Sequence, residues 1–448
     1  METMNNNPVV DTGPKSFIRE SIDKVFKGDK VIWLVFVILC VISMVEIFSA
    51  TSTIVYQRQN HWGPIMRHAM FLIAGFGLII FMHNVSFRFY SSLIFLLGIS
   101  IILLLLTPVL GETINGADRW IRILGFTIQP SEFAKLSLMG TIAFLLSRQN
   151  EKNEKTLFNW MIGVTAFVTL IIAKDNLSTA ALLFFVIFLM MFIGNVKIKR
   201  LLLIVAIGAA GLILLVGVSK VAPKPVVDHI SLLKRSETWG NRVFDFMNHD
   251  ELSDAEKYVV NDDNFQSAHA KIAIANGGVF GRFPGNSVAR DFLPQAYSDF
   301  IYAIILEELG FFGGIFVFML YVIILIRAGI IARKTNSLFA RYLVLGSALM
   351  LSIQAFMNMA VAVGAIPVTG QPLPLISRGG TSTLVTCAYF GIILSADRFG
   401  VGRKKNGQGD LENDSESDSE ESENEVAIES LNLSDGKKEG VDFTVIQV

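Results

Sequence analysis

The chain has 448 residues, of which 52% are hydrophobic and only 17% are Asp, Glu, Lys or Arg; an ordinary soluble domain carries about a quarter. Its mean hydropathy of +0.52 and its 35 phenylalanines exclude a soluble globular enzyme and indicate a polytopic membrane protein. The net charge of −1 averages a basic membrane part with an acidic tail, and the two cysteines, Cys40 and Cys387, both lie in apolar runs, which leaves no disulfide framework or zinc site. The six histidines lack ligand spacing, and no nucleic-acid partner is expected.

Apolar stretches of about spanning length fall at 31–50, 66–85, 90–110, 131–146, 157–173, 179–194, 201–218, 300–326, 343–364 and 382–396. These predict ten helices, hence both termini on one side of the membrane. Lys and Arg collect before the first helix and after the fourth, sixth, eighth and tenth, which predicts that side to be cytoplasmic. The chain then divides into a cytoplasmic segment 1–30, a ten-helix domain 31–400 and a tail 401–448. The tail is rich in Asp, Glu, Ser and Asn and is expected to be disordered, either as a solvating segment or as a docking segment for a basic partner.

Three external loops carry most of the polar chemistry. The first, 111–130, contains Arg119, Trp120 and Arg122 and runs through Gln129 into Ser131, Glu132 and Lys135. In a helical turn Arg119 and Arg122 share a face; they suit a phosphate or a pyrophosphate, or simply anchor the loop. Glu132 and Lys135, also three apart, are able to pair, although Lys135 lies a turn inside an apolar span. Between the fifth and sixth helices, Asn176 or Ser178 is placed to cap a helix.

The second loop, 220–299, is the longest and predicts a short helix at 270–275 that is stopped by Gly277 and Gly278. It ends on Ser298 and Asp299, which suit a helix N-cap. A helix N-terminus stabilises a carboxylate and weakens it as a base. On one continuous helix Glu307 lies roughly 12 Å deeper than Asp299 and about 80° around from it, with Glu308 nearly opposite. Intramembrane acids are functional candidates by default. In the ninth helix Gln354 and Asn358 place two amides on one face, for bonding between helices. The third loop, 365–381, holds Ser377, Arg378, Gly379 and Gly380 before Ser382; it makes a backbone nest for an anion or merely the turn into the last helix.

The runs 116–121 and 129–135, then 285–287, 293–294, 298–301 and 307–310, then 358–364, 373–377 and 379–382 together resemble, in matching order, the signatures of the SEDS family. These are the FtsW/RodA-type peptidoglycan glycosyltransferases, and the similarity covers about residues 31–399. The resemblance implies an all-α SEDS fold and polymerisation of lipid II into glycan strands at the outer face of the bacterial cytoplasmic membrane. It also implies that Asp299 is the general base on the acceptor hydroxyl and that undecaprenyl pyrophosphate leaves. Arg119 and Lys135 are then candidates for steadying that pyrophosphate. Trp120, Gln129, Glu132, Ser377, Arg378, Gly379, Gly380 and Ser382 complete the expected substrate site, with Glu307, Glu308 and Asn358 in support. A divalent cation, magnesium or manganese, is an optional helper. The implied partners are a class B penicillin-binding protein transpeptidase and other divisome membrane proteins.

Residues 28–30 and 285–287 favour the division subgroup, and so the septum, over the elongation subgroup. Asp175 to Thr179 depart from a common Pro-Asp-Leu-Gly-Thr run, Gln295 replaces a frequent glutamate, Tyr297 a frequent histidine, and Arg378 a common aromatic. No essential acid is therefore assigned at Asp175. The competing reading is a lipid II transporter or a non-catalytic scaffold for the transpeptidase. Transport is disfavoured by the lack of a polar series crossing the bilayer.

Overall fold

The computed structural model describes residues 26–50, 63–114, 117–123, 126–224, 227, 230–248, 260, 264–293 and 297–406. Gln295, the first 25 residues and the tail beyond 406 lie outside these. The compact unit that ends at Arg398 contains α1 (Lys30–Ala50), α2 (Gly63–Asn84) and, after a 3-10 turn, α3 (Leu93–Leu110). Three strands follow, β1 (Gly111–Ile114), β2 (Ala117–Ile123) and β3 (Phe126–Ile128), then α4 (Pro130–Ser147), α5 (Glu154–Asp175), α6 (Leu177–Ile193) and α7 (Ile198–Val221). The long loop holds α8 (Ser231–Asn248), α9 (Phe265–Gly277) and the single turn α10 (Ala289–Phe292). It leads into α11 (Ile301–Lys334) and α12 (Leu338–Ala362), and α13 (Gly380–Asn406) is the last helix described.

A helix stands at each of the ten predicted positions. Seven are long and apolar enough to cross a membrane, namely α1, α2, α3 with its leading turn, α5, α7, α11 and α12. Hydropathy and burial sort these helices by position. The most apolar, α7, buries 6% of its best window, whereas the more polar α12 buries 72%. An apolar surface with no protein cover suits lipid, and polar groups at membrane depth must face the bundle interior. Central α12 packs on α11, α4 and α6, and α4 is buried along most of its length. The polar side chains Glu132, Lys135, Gln354 and Asn358 therefore sit on these innermost helices.

The all-α expectation needs one local amendment, because loop 111–128 forms a three-stranded antiparallel meander, β1-β2-β3. Ile121 pairs with both Gly111 and Ile128 and is buried against α3 and α4. The β-branched and aromatic residues Trp120, Ile121, Ile123, Phe126, Thr127 and Ile128 favour strands over a helical turn here.

The eighth predicted span is broken. Gly310 has φ 69° and ψ −170°, a region essentially reserved for glycine. The break is stitched by the chain that follows α9. The N–H groups of Arg282 and Phe283 donate to the carbonyls of Glu307 (2.9 Å) and Glu308 (2.8 Å), while Phe311 and Phe312 donate to Gly278 (3.0 Å) and Val279 (3.5 Å). Four residues of the loop, two donating and two accepting, thus take over the backbone bonds that the break gives up, as burial at this depth requires. The loop must lie very close for this: a Cβ on Gly281 would stand 2.2 Å from the Glu308 carbonyl oxygen.

Candidate active site

A cavity of about 470 Å³ opens at the end of the bundle that carries the three long loops. Strand β2 supplies Arg119 and Trp120, the start of α4 supplies Gln129 and Glu132, and the α5–α6 turn supplies Asn176 to Thr179. Helix α8 adds Arg235, Thr238, Trp239 and Arg242, and the loop before α11 adds Ser298 and Asp299. The remaining wall is Gln266 of α9 and the loop 368–372 together with Arg378, Gly379 and Ser382. Residues spread over some 260 positions of sequence thus converge on one space.

The backbone around Asp299 is held by three successive carbonyls. Arg378 N–H donates to the carbonyl of Tyr297 (3.0 Å), the Ser377 hydroxyl to that of Ser298 (2.6 Å) and Asn358 Nδ2 to that of Asp299 (2.8 Å). Asn358 also donates to the Gln371 carbonyl (2.7 Å), and Gln354 Nε2 to that of Pro372 (3.0 Å). The two amides expected to bond between helices therefore fasten the third loop and, through it, the aspartate. From the other side, the Ser43 hydroxyl donates to the carbonyl of Leu375 (2.8 Å) and lies 2.7 Å from His68 Nε2. Leu375 is a buried non-glycine residue at φ 68°, a strained turn that persists only where its surroundings over-determine it.

Asp299 does not cap α11. The N-cap position is Phe300, and no side chain bonds there. The half-buried carboxylate instead faces the cavity and accepts from the Ser298 hydroxyl at 2.9 Å. Burial pushes its pKa above the usual aspartate value, while the Ser298 bond and the Arg119 and Arg242 charges pull it back. The difficulty raised by a helix N-terminus is removed, because burial, not a cap, decides the direction. The 80° relation to Glu307 lapses too, since Asp299 precedes the helix.

Glu307 and Glu308 act on the loop that leads to Asp299. Glu307 accepts from the Ser287 hydroxyl and from the N–H groups of Val288 and Ala289 at 3.2 Å. Glu308 accepts from the Ser49 hydroxyl on α1. Both acids are fully buried, and neither lines the cavity.

Three residues expected to touch substrate stand behind the wall. Lys135 is 1% exposed, with Nζ 2.8 Å from Glu132 and 3.1 Å from Gln354 Oε1; it reaches the cavity only through Glu132. Ser377 spends its hydroxyl on Ser298 and on the Leu373 N–H, and Gly380 abuts Phe71. Arg119 and Arg122 do not share a helical face. They lie on a strand with opposite-facing positions, where Arg119 donates Nε–H to the Asp175 carbonyl (3.0 Å) and Arg122 is exposed away from the cavity. Asn176 is the cap of α6, accepting from Thr179 N–H at 3.1 Å.

Because Lys135 and Glu132 form a buried pair, removing one partner leaves the other charge uncompensated, at about 3–5 kcal/mol. Lys135→Met is expected to lower thermal stability strongly, and adding Glu132→Gln to recover most of the loss. Melting curves of the detergent-solubilised parent and the two variants check this.

Sequence reading missed α8. Its cavity residues stand at i, i+3, i+4 and i+7, with Leu233, Ser236 and Gly240 buried on the opposite side. That amphipathic period was legible, but it is masked by the polar length of the loop. Gln371, buried and donating to Thr179 Oγ1 at 2.9 Å, carries no signal in sequence.

Fold and site together define a polytopic membrane protein with an arginine-rich cavity and a buried carboxylate at one end of its bundle. The FtsW/RodA/SpoVE cell cycle protein family model matches residues 29–401, and the chain belongs to that family. It is 31% identical over 371 residues to the probable peptidoglycan glycosyltransferase FtsW of Saccharophagus degradans, covering 80% of this chain and 89% of the relative. It is 29% identical to stage V sporulation protein E of Bacillus subtilis, covering 83% and 97%. Among solved structures, a chain of a peptidoglycan synthase complex described for its coordination of polymerisation and crosslinking superposes with TM-score 0.63 at 24% identity, covering 84% and 99%. The rod shape determining protein RodA of Thermus thermophilus gives 0.55 at 22%, covering 84% and 98%. At these identities the two structures speak for the fold.

Proposed function

We infer that the chain is a peptidoglycan glycosyltransferase that polymerises lipid II at the outer face of the cytoplasmic membrane, with Asp299 as general base. The observation that carries the role of Asp299 is its place: a cavity-facing carboxylate, raised by burial and surrounded by guanidiniums. A base works best when its pKa is brought toward the operating pH. The carboxylate takes the proton of the acceptor sugar hydroxyl as that oxygen attacks the donor's anomeric carbon. The bond from that carbon to the phosphate oxygen breaks, and undecaprenyl pyrophosphate departs with the electron pair. Arg119 and Arg378 face the developing negative charge, where preorganised donors in a water-poor site are most effective. Arg378 is oriented by its guanidinium lying 5.3 Å from the Tyr297 ring centre.

The donor set does not fit a resident divalent cation. Among the described residues no three His, Cys, Asp or Glu side chains converge, and of the cavity's two carboxylates Glu132 is matched by Lys135. Magnesium or manganese would have to bring its ligands from the substrate diphosphate, and no step is routed through it.

The remaining parts of the reading concern context. The FtsW-named relatives support a division role at the septum, and the Lys/Arg pattern supports cytoplasmic termini. The likeness to a complex that couples polymerisation with crosslinking supports a class B penicillin-binding protein as partner. The test is glycan-chain formation from purified lipid II by the protein with that partner. Arg119→Ala is expected to weaken lipid II binding about tenfold, the loss of a charge-assisted contact, with little change in melting temperature; equal lipid II affinity would remove its phosphate role.

A further inference from the structure

Helix α8 brings to the cavity two arginines that the base mechanism leaves without a task. Arg235 and Arg242 lie two turns apart on one face, and both line the wall with Arg119. Arg242 donates from Nη1 to the Val368 carbonyl at 2.8 Å, which ties its guanidinium to the cavity's edge. Burial and the charge of Arg235 push Arg119 below the usual arginine range, with Asp175 and Asp299 opposing in part. Guanidiniums crowded so that they disfavour one another's charge are stabilised by an anion. Asp175 and Asp299 offset only part of this, since Glu132 is already taken by Lys135.

We propose that Arg235 and Arg242 of α8, with Arg119, form a diphosphate-binding subsite that roofs the Asp299 cavity and holds the phosphate ester of the lipid-linked substrate. Three forked, permanently charged donors match a diphosphate better than a single phosphate or a carboxylate. The cavity volume of about 470 Å³ admits such a headgroup and excludes a folded acidic partner. The identity of the lipid rests on the glycosyltransferase reading; the anion site does not. Occupancy would also remove the cationic pull on Asp299 and leave it a stronger base once substrate is bound.

Isothermal titration of the full chain in detergent with inorganic pyrophosphate, farnesyl diphosphate and sulfate tests this without using activity. Pyrophosphate is expected to bind more tightly than sulfate, and farnesyl diphosphate more tightly than either. Arg235→Gln and Arg242→Gln should each weaken both diphosphates about tenfold, with ligand-free melting unchanged. Unchanged affinity in the double variant, or sulfate binding equal to that of pyrophosphate, would overturn the subsite. Equal or tighter binding of the inorganic ion would overturn its assignment to a lipid ester. Asp299→Asn should bind pyrophosphate at least as tightly as the parent, so failure of the base reading registers in glycan synthesis alone.

Discussion

Asp299→Asn is expected to abolish glycan-chain formation from lipid II, by a factor of about 10² to 10⁴ for loss of a positioned base, while leaving the protein at least as heat-stable as the parent at neutral pH. The amide keeps the shape and still accepts from Ser298, so the three backbone bonds that hold the turn need not change. The stability half follows from linkage. Burial raises the carboxyl above its unfolded value, so the native state binds more protons than the unfolded state between the two pKa values. Stability from this group is then present below the unfolded pKa, about 3.9, and is lost as pH rises through the folded one. The parent bears that loss at neutral pH and the asparagine variant does not, so the melting-temperature difference should shrink on acidification. A variant that polymerises normally with its partner bound would remove Asp299 from the chemistry. The same electrostatics fix the sign of a second change. Arg242 lowers the carboxyl's pKa, so Arg242→Gln should move the acid limb of the kcat/KM profile to higher pH.

Much of this site was legible before any coordinates, for reasons that differ between residues. The ten apolar runs are visible because each must match the bilayer thickness. Asp299, Arg119, Glu132 and Arg378 stand out because charges beside membrane spans are rarely incidental. What sequence cannot convey is which polar group is spent on which. Lys135 and Glu307 read as site residues because both are ionisable and deep. One is consumed by Glu132 and Gln354, the other by the backbone of Val288 and Ala289. The strand conformation of β2 is not announced by its arginines, because two of them three apart satisfy a helical spacing as well as a chance one. Arg235 and Arg242 were passed over because a single amphipathic helix inside a long polar loop has no apolar run to announce it.

Gly310→Ala should be strongly destabilising for a single added methyl, and the reason lies in the broken helix, not in the cavity. At φ 69° and ψ −170° an alanine incurs about 1–3 kcal/mol of backbone strain. Its Cβ would also stand 2.4 Å from the Gly281 nitrogen and 2.5 Å from the Val279 oxygen. Both are hydrogen-bonded backbone atoms, the Val279 oxygen accepting from Phe312 across the break and the Gly281 N–H donating to Gly277 within the loop, so neither can swing aside as a side-chain tip would. Relief requires pulling the 278–283 loop off α11, which exposes the carbonyls of Glu307 and Glu308 at about 1–3 kcal/mol each. Two controls separate the contributions. Gly285 has φ 90° but open space around a would-be Cβ, so Gly285→Ala should cost only the backbone strain. Gly98 lies in helix α3 with open space, and Gly98→Ala should be neutral or stabilise by up to about 1 kcal/mol. Melting temperatures of the detergent-solubilised proteins should therefore fall in the order Gly98→Ala, Gly285→Ala, Gly310→Ala. If the third matched the second, the stitched break would not be what holds the loop, and with it Asp299, in place.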